Sequence, residues 1–386
     1  MKILLTVLNT NMGGITTSAI NFCNELVRRG HDVIFLDLSN EYLYDDQLDV
    51  NVKKGKFVRS HYWNIQANML KSAKGFEKLK LAFLGVIKKI TIKSGLWFRL
   101  AFKKYNEFGD FDVAIAFRQC APCYSFVLNK VKAKKKMGFV HGELKYMGDI
   151  SSWKKYMTKL DKIAHVSNAV REQFVNKYPE LKQNACTIYN MFNKEQILGK
   201  AEEQCEFVFN KNIKNIVTIA RIENDFKRID LIPEICQLIM KKTNTRFHWY
   251  IVGDGPDKEE VQQKIDILDL NSVITLCGAT NNPYCILRQA DFSVLLSKSE
   301  AYPMTVIESL ILKKPIVVTN FGSAVEMVED GKLGLISDFD KQDVADKILK
   351  MLDDEEFFEN CKKYVMQYKY SNDSAYKQFM EAIVES

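Results

Sequence analysis

The chain has little proline, seven in 386 residues, so nothing in its composition supports a long disordered or polyproline linker. It has no uncharged run approaching the roughly 18 residues needed to span a bilayer. Low-complexity tracts and internal repeats are missing as well. The opening run Met1-Lys2-Ile3-Leu4-Leu5-Thr6-Val7-Leu8 is too short for a signal-peptide core and has no small-residue cleavage site. It reads as a buried first strand, and the protein is expected to stay in the cytoplasm. Both common nucleotide fingerprints are missing: there is no G-x-G-x-x-G after a strand and no Gly-Lys-Ser/Thr loop. The nine cysteines are scattered singly except for Cys120 and Cys123. That pair invites a redox or a zinc reading, but it has no second pair and no histidine at ligand spacing, and structural zinc needs four ligands. Two packed thiols near a strand-to-helix turn is the simpler reading.

What is present is ordinary in bulk and uneven in detail. A hydrophobic content of 47% and a charged content of 27% suit a soluble globular chain, and the length suits two α/β domains better than one. The net charge of +7 is concentrated. Lys71 to Lys104 holds nine lysines and Arg99 against Glu77, a local +9, so the rest of the chain sums to −2. One positive face, not a uniformly basic protein, is implied, and nucleic acid is not an expected partner. Within about 62–105, Leu79, Phe83, Val86, Ile90, Trp97, Leu100 and Phe102 interleave with the lysines. Two readings stand: a basic amphipathic element lying on anionic membrane, or a helical hairpin packed on the sheet with its lysines in water.

Elsewhere, apolar strands alternate with helical periods. Strands are expected at Lys2 to Leu8, Val33 to Leu38, Val113 to Phe117, Lys136 to Val140, Lys162 to Val166 and Cys186 to Tyr189. A second series runs Asn215–Ala220, Phe247–Val252, Val273–Cys277, Phe292–Leu296, Ile316–Thr319 and Leu333–Ile336, with helices between, including Arg228–Lys241 and Thr305–Lys313. Strand–helix alternation predicts parallel sheets, and two such blocks predict two doubly wound domains. Residues 1–192 form the first and 193–370 the second, with the polar stretch Asn190 to Lys214 as junction and a last helix in 371–386 that returns to the first domain.

The candidate chemistry gathers at strand ends, where ligands bind in open α/β sheets. Glu300 lies on the loop after Phe292–Leu296, and Glu308 lies in the helix that Pro303 opens. Two acids there can grip hydroxyls of a sugar, a ribose or both. Arg221 ends the strand Asn215–Ala220, with Lys227 at the next helix's start. Such a pair can clamp a diphosphate, though taken alone two solvated cations is the plainer account. Gly13-Gly14 allows either an anion-binding helix start or a tight turn. Gly253-Asp254-Gly255-Pro256 reads as a sharp turn. His141 ends Lys136–Val140 at the ligand edge, and both a structural and a functional role suit it. Asp37, about 20 residues past the glycines, keeps a dinucleotide-dependent dehydrogenase in view.

Taken in order, these residues resemble glycosyltransferase family 4, retaining enzymes of the GT-B fold, over nearly the whole chain. Glu300 and Glu308 match its E-x7-E motif, and Lys314-Pro315-Ile316-Val317-Val318-Thr319 is similar to the strand that follows. Gly13-Gly14, Phe139-Val140-His141-Gly142-Glu143, Val166-Ser167-Asn168 and Ile188-Tyr189-Asn190 match landmarks of the family's first domain. Ala220-Arg221, Lys227 and Val252-Gly253-Asp254-Gly255-Pro256 match landmarks of its second. The chain departs from the pattern at Ala301-Tyr302, where Gly-Phe is usual, at Asn190-Met191-Phe192-Asn193, and at Ala220 in place of glycine.

The resemblance implies two sheets facing a central cleft and a nucleotide-diphosphate sugar as donor, a UDP-sugar ahead of a GDP-sugar. Arg221 and Lys227 would hold the diphosphate, and Glu308 the ribose hydroxyls. Glu300 would contact the donor sugar with the backbone of Ala301, Tyr302, Pro303, Met304 and Thr305. Tyr284 would lie near the base, His141 near the transferred sugar, and Gly14 at the phosphate or acceptor. Neither metal nor cofactor is implied. A hexose or N-acetylhexosamine would pass to a glycan or lipid-linked hydroxyl in surface polysaccharide synthesis, at the inner face of the plasma membrane if the basic segment binds it. A GT-B nucleotide-sugar epimerase and a non-catalytic GT-B partner subunit are the other members of this set.

Overall fold

The computed structural model describes residues 1–8, 13–43, 45–57, 75, 102–144 and 151–384. Asn11 and Met12 of the first loop, and the basic stretch 71–101 apart from Gly75, lie outside the described residues, as does most of the insertion read at 62–105.

Most of the strands are short, largely apolar runs buried on both faces, the signature of parallel sheets covered by helices, and the two-lysine edge strand Lys53–Lys54 is exposed. In β1 (Lys2–Val7) and β2 (Asp32–Asp37) five of six residues are buried. The first sheet adds β3 (Lys53–Lys54), β4 (Phe111–Ala116), β5 (Ala133–Val140), β6 (Lys162–His165) and β7 (Ala185–Thr187) in the order β3-β2-β1-β4-β5-β6-β7, all parallel. Among the described residues, the helices of this half are α1 (Gly14–Arg28), α2 (Ala121–Lys130), α3 (Ser151–Met157) and α4 (Asn168–Lys177).

The second half begins with α5 (Lys194–Ala201), β8 (Lys214–Ile219), α6 (Asn224–Lys227), α7 (Ile232–Met240) and β9 (Phe247–Val252). It continues with α8 (Lys258–Ile267), β10 (Ile274–Gly278), α9 (Pro283–Gln289), β11 (Phe292–Leu295), α10 (Met304–Ile311) and β12 (Ile316–Thr319). Helix α11 (Ala324–Met327), β13 (Gly334–Ser337), α12 (Lys341–Asp353) and α13 (Glu355–Gln367) follow, and α14 (Asp373–Val384) ends the described chain. Its sheet runs β10-β9-β8-β11-β12-β13, again parallel throughout.

In each sheet the order reverses beside the first strand, between β1 and β4 and between β8 and β11. Chain leaving those two strands diverges to opposite faces, which opens the crevice where α/β sheets take ligands. The loops after β8 and β11 carry Arg221 and Glu300. The loops after β1 and β4 carry Gly13-Gly14 and the Cys120–Cys123 turn.

The chain divides into two compact units. One holds Met1–Val166, Val170–Phe192 and Asn372–Ser386; the other holds Ser167–Ala169 and Asn193–Ser371. Helix α14 therefore belongs with the first sheet. Phe379 meets Phe22 edge-on at 5.3 Å between ring centroids, and Phe22 also packs on Phe117 and Phe139. Asn372 donates to Glu25 and to the Phe192 carbonyl, both at 3.0 Å. The second unit is centred on fully buried Trp249, whose indole N–H donates to Thr218 at 3.0 Å.

Three expectations need correction. The polar stretch read as a junction contains α5, which Asn193 caps by accepting from the Gln196 amide at 3.0 Å. The helix expected over Arg228–Lys241 begins only at Ile232, because Arg228 adopts φ 56°, a left-handed turn that ends α6. Lys227 accordingly closes a short helix instead of opening a long one. No helix among the described residues is long and apolar enough to cross a membrane.

Candidate functional site

In the second unit the sequence candidates form two side-chain pairs at the β8/β11 switch point. The first is Lys227 with Glu300. The Lys227 ammonium ion-pairs with Glu300, which also accepts from the Ser297 hydroxyl at 2.7 Å. Both partners are mostly shielded, at 26% and 13% side-chain exposure, so water weakens the pair less than at an open surface. The loop is fixed behind it: Thr319 donates to the Ser297 carbonyl at 2.6 Å, and Ser323 to the Glu300 carbonyl at 3.3 Å. The Lys298 amide donates to the Phe226 carbonyl at 2.7 Å, joining the acid-bearing loop to α6.

The second pair is Tyr284 with Glu308. The phenol donates to the carboxylate at 3.1 Å. Glu308 is 7% exposed, and this burial pushes its carboxyl up to about 7, with the Tyr284 bond acting the other way. Burial, and then the neighbouring carboxylate, push the Tyr284 phenol up. Helix α10 holds Glu308 in place through Ser309, which donates to the Thr305 carbonyl at 2.7 Å and shares a 2.8 Å hydrogen bond with Ser293 of β11. Tyr284 sits in the first turn of α9. The Asn282 side chain caps that helix by accepting from the Tyr284 and Cys285 amides, and it donates to the Lys200 carbonyl and Glu203. Helix α5 thus steadies the tyrosine. Sequence reading missed α5, although Asn193 at its start and buried Ile197 and Ala201 four apart were there to find.

Arg221 is different. It lies two residues beyond β8 with 68% of its side chain exposed, and its guanidinium approaches Glu223 at 4.0 Å. A long cation this open can swing onto an anion without breaking a buried contact. Its backbone is not loose. The Ala220 and Ile222 amides donate to the Val252 and Asp254 carbonyls at 3.1 and 3.0 Å. Gly253 has φ 147°, and a Cβ there would lie 1.9 Å from the Ala220 carbonyl oxygen; one on Gly255 would lie 2.1 Å from that of Ile222. The Gly-Asp-Gly-Pro segment is a turn, and glycine is required because two backbones touch. Its role in seating the Arg221 loop was not apparent from sequence.

Between the pairs run Ala301, Tyr302 and Pro303, then Met304 and Thr305 of α10. Ala301 is buried and is not among the non-glycine residues with positive φ, which among the described residues are Asn40, Tyr42, Arg228, Asp269 and Lys313. Alanine in place of glycine therefore strains nothing here. Pro303 occupies the N-cap with φ −65°, one residue outside the helix. The first amides of α10 point out of the helix start, where negative charge is favoured.

In the first unit, His141 follows β5. Its Nε2 bonds the Phe117 carbonyl at 2.8 Å and its backbone amide donates to the Gln119 side chain at 2.7 Å. A carbonyl only accepts, so Nε2 carries the proton and Nδ1 presents a lone pair. Burial pushes the imidazole down to about 4, against the Phe117 bond, so it is neutral at physiological pH. Gly14 opens α1 behind Gly13, whose φ is 154°. Asp37 is fully buried and accepts from the Ser39 amide at 2.7 Å and hydroxyl at 2.8 Å. That engagement counts against its serving a dinucleotide ribose.

Comparison with known proteins adds family context. Residues 200–368 match the family model described as glycosyl transferases group 1. The chain is 32% identical over 162 residues to poly(ribitol-phosphate) alpha-N-acetylglucosaminyltransferase of Staphylococcus aureus, covering 40% of this chain and 32% of that one. It is 24% identical over 221 residues to N-acetyl-alpha-D-glucosaminyl L-malate synthase of Bacillus anthracis, covering 55% of each. The chain thus spans 32% of the first of these curated relatives and 55% of the second. Among solved structures, S. aureus TarM in complex with fondaparinux, alpha-GlcNAc-glycerol and UDP is similar with a TM-score of 0.68 at 19% identity, covering 99% of both chains. Anabaena HepE in complex with UDP matches with a TM-score of 0.68 at 16% identity, covering both chains fully. The fold is GT-B, two Rossmann-like parallel-sheet domains.

Proposed function

We propose that this protein is a retaining glycosyltransferase of family 4 that moves a hexose or N-acetylhexosamine from a nucleotide-diphosphate sugar to a hydroxyl of a glycan or lipid-linked acceptor. The observation that carries the reading is the pairing of Lys227 with Glu300 and of Tyr284 with Glu308 at one switch point, beside exposed Arg221. Arg221 and Lys227 hold the diphosphate; Lys227 then trades part of its Glu300 contact for phosphate oxygens. Glu308 accepts from the ribose hydroxyls with Tyr284 beside the base. Glu300 and the backbone from Ala301 to Thr305 orient the sugar. His141 and Gly14 serve the transferred sugar and the acceptor side.

In the transfer step the anomeric carbon–phosphate oxygen bond breaks and the acceptor oxygen bonds to that carbon on the same face. The acceptor proton passes to the departing phosphate. The two cations neutralise the leaving diphosphate, so the charge stabilisation that a bound divalent ion gives elsewhere is supplied by side chains. The Glu pair is not an acid and nucleophile as in a glycosidase. The relatives' printed names, which include N-acetylglucosaminyl transfer, favour an N-acetylhexosamine and a UDP donor. The cytoplasmic membrane face as workplace rests on the basic stretch 71–104. Replacing Lys88, Lys89, Lys93 and Lys103 by Glu is expected to reduce sedimentation with anionic vesicles, and unchanged sedimentation would remove the membrane from the proposal.

A thermal-shift screen across UDP, GDP, ADP and their sugars tests the donor assignment. A ligand at 100 times its Kd adds about 2.7 kcal/mol, so UDP and its sugars are expected to raise the melting temperature by several degrees. The anomeric configuration of the product, read by NMR, tests retention. No shift with any nucleotide, or an inverted product, would count against the respective claim.

A further inference from the structure

The second distinctive feature of the first sheet's switch point is the Cys120-Ala121-Pro122-Cys123 turn, which the transfer reaction does not use. Cys120 sits in the N-cap position of α2 in extended conformation, and Cys123 lies in the first turn of that ten-residue helix. Both thiols are free and lie three residues apart across the start of the helix. Cys120 is half-buried, whereas Cys123 is completely buried. A thiol at the start of a helix, with a second thiol three residues on, is the arrangement in which one sulphur attacks and the other resolves. The Cys123 thiol, helped by the Arg118 charge and opposed by burial, holds Cys120 below the ordinary thiol value; burial above all pushes Cys123 up.

The position gives the pair something to act on. The residues leading into Cys120 are those that hold His141: Phe117 through its carbonyl and Gln119 through its side chain. We propose that Cys120 and Cys123 form a reversible redox pair whose closure to an intrachain disulfide releases the hold of Phe117 and Gln119 on His141. The oxidant is a low-molecular-weight disulfide such as oxidised glutathione. The Cys120 thiolate attacks one of its sulphurs, expelling one thiol and leaving a mixed disulfide. Cys123 then loses its proton and attacks the Cys120 sulphur, expelling the second thiol. Two electrons leave the cysteine pair, the small disulfide is reduced to two thiols, and the chain loses two hydrogens.

The test uses the full chain incubated with mixtures of reduced and oxidised glutathione, followed by alkylation, intact mass and peptide mapping. Under oxidising mixtures a loss of about 2 Da is expected, mapped to the Cys120–Cys123 peptide and reversed by dithiothreitol. Cys120→Ser, which keeps an N-capping oxygen, is expected to abolish it, and Cys123→Ala to stall at the glutathione adduct. Both thiols still alkylated at the most oxidising mixture, or a stable adduct on the unaltered chain, would overturn the pair. Hydrogen exchange reads the coupling: the His141 amide is expected to exchange at least several-fold faster in the oxidised chain and to be unaffected by oxidant in Cys120→Ser. Equal exchange in both redox states would overturn the link to His141. The effect on transfer rate rests on the function proposed above, whereas mass and exchange do not, so failure of one reading is distinguishable from failure of the other.

Discussion

The two sheets offer the same backbone opportunity and dress it differently. Both reverse strand order beside their first strand, and both send two loops into that crevice. In the second unit the loops carry charge: an open arginine, a lysine paired with one acid, and a second acid buried under a phenol. In the described part of the first unit they carry a glycine pair and a dithiol, with a neutral histidine on the neighbouring loop after β5. Topology fixes where a ligand is met, and side chains fix what kind. The charged edge has the groups to meet an anion, and the neutral edge has groups that can exchange hydrogen bonds with hydroxyls.

The strongest attack on this contrast removes the paired cation. Lys227→Ala is expected to lower kcat by about 10²–10³-fold, the usual cost of losing a preorganised charge partner at a developing anion. It also leaves Glu300 partly shielded without its cation, so donor affinity should fall as well. Adding Glu300→Gln should recover part of the binding but little of kcat. Rates within twofold of the unaltered enzyme in Lys227→Ala would remove the diphosphate clamp and with it the comparison.

The next effect concerns how the open arginine is seated. Gly253→Ala places a methyl group 1.9 Å from the Ala220 carbonyl oxygen, in a backbone conformation at φ 147° that alanine resists. The turn or the Arg221 loop must move, at a cost of roughly 1–3 kcal/mol. For a unit of this size that lowers the melting temperature by about 2–4 °C per kcal/mol. Gly30→Ala has open space at φ 82° and serves as a control for backbone strain alone. Equal losses in the two variants would show that the contact between turns does not matter.

These two cases show what a sequence carries and what it hides. The strands of the second sheet were legible because each is a four- to six-residue apolar run bounded by turn residues. The positions of Glu300 and Glu308 were legible because a strand end and a helix start fix them locally. The Lys227–Glu300 bond was not, since it joins residues 73 apart through a short helix that period counting merged with the next one. Arg228 caused that merger: its left-handed φ has no local signature in a residue that is normally a good helix former. The need for Gly253 was hidden for the same reason, because the atom that forbids a side chain belongs to Ala220, just past β8 and more than thirty residues earlier.

Glu308 separates the edges by pH. Its carboxyl, pushed by burial to about 7 against an ordinary value of 4.5, keeps its proton in the folded protein up to near neutrality. The folded state then binds more protons than the unfolded one between those values. Stability therefore falls as pH rises from 4.5 to 7, by about 3 kcal/mol in total. Ribose hydroxyls donate to the ionised form, so binding favours it, and affinity should strengthen as pH rises from 6 towards 8, by up to about tenfold per pH unit below 7. Calorimetry with an intact nucleotide sugar, which does not titrate in this range, checks the slope. Glu308→Gln should flatten it; a slope that survives assigns the proton elsewhere.

His141 should give the smallest change, and a different kind. The ring is neutral well above its value of about 4, and its free nitrogen can accept one hydrogen bond from a sugar hydroxyl. A neutral hydrogen bond contributes about 0.5–1.5 kcal/mol. His141→Ala is thus expected to lower kcat/KM for transfer by roughly two- to tenfold while leaving UDP affinity unchanged, since the residues proposed to hold the nucleotide lie in the other unit. The unaltered enzyme should show no inflection from this histidine between pH 5 and 9. A loss of UDP affinity in His141→Ala as large as that in Lys227→Ala would mean that the first sheet's edge also serves the anion, and the division of labour drawn from the two switch points would fail.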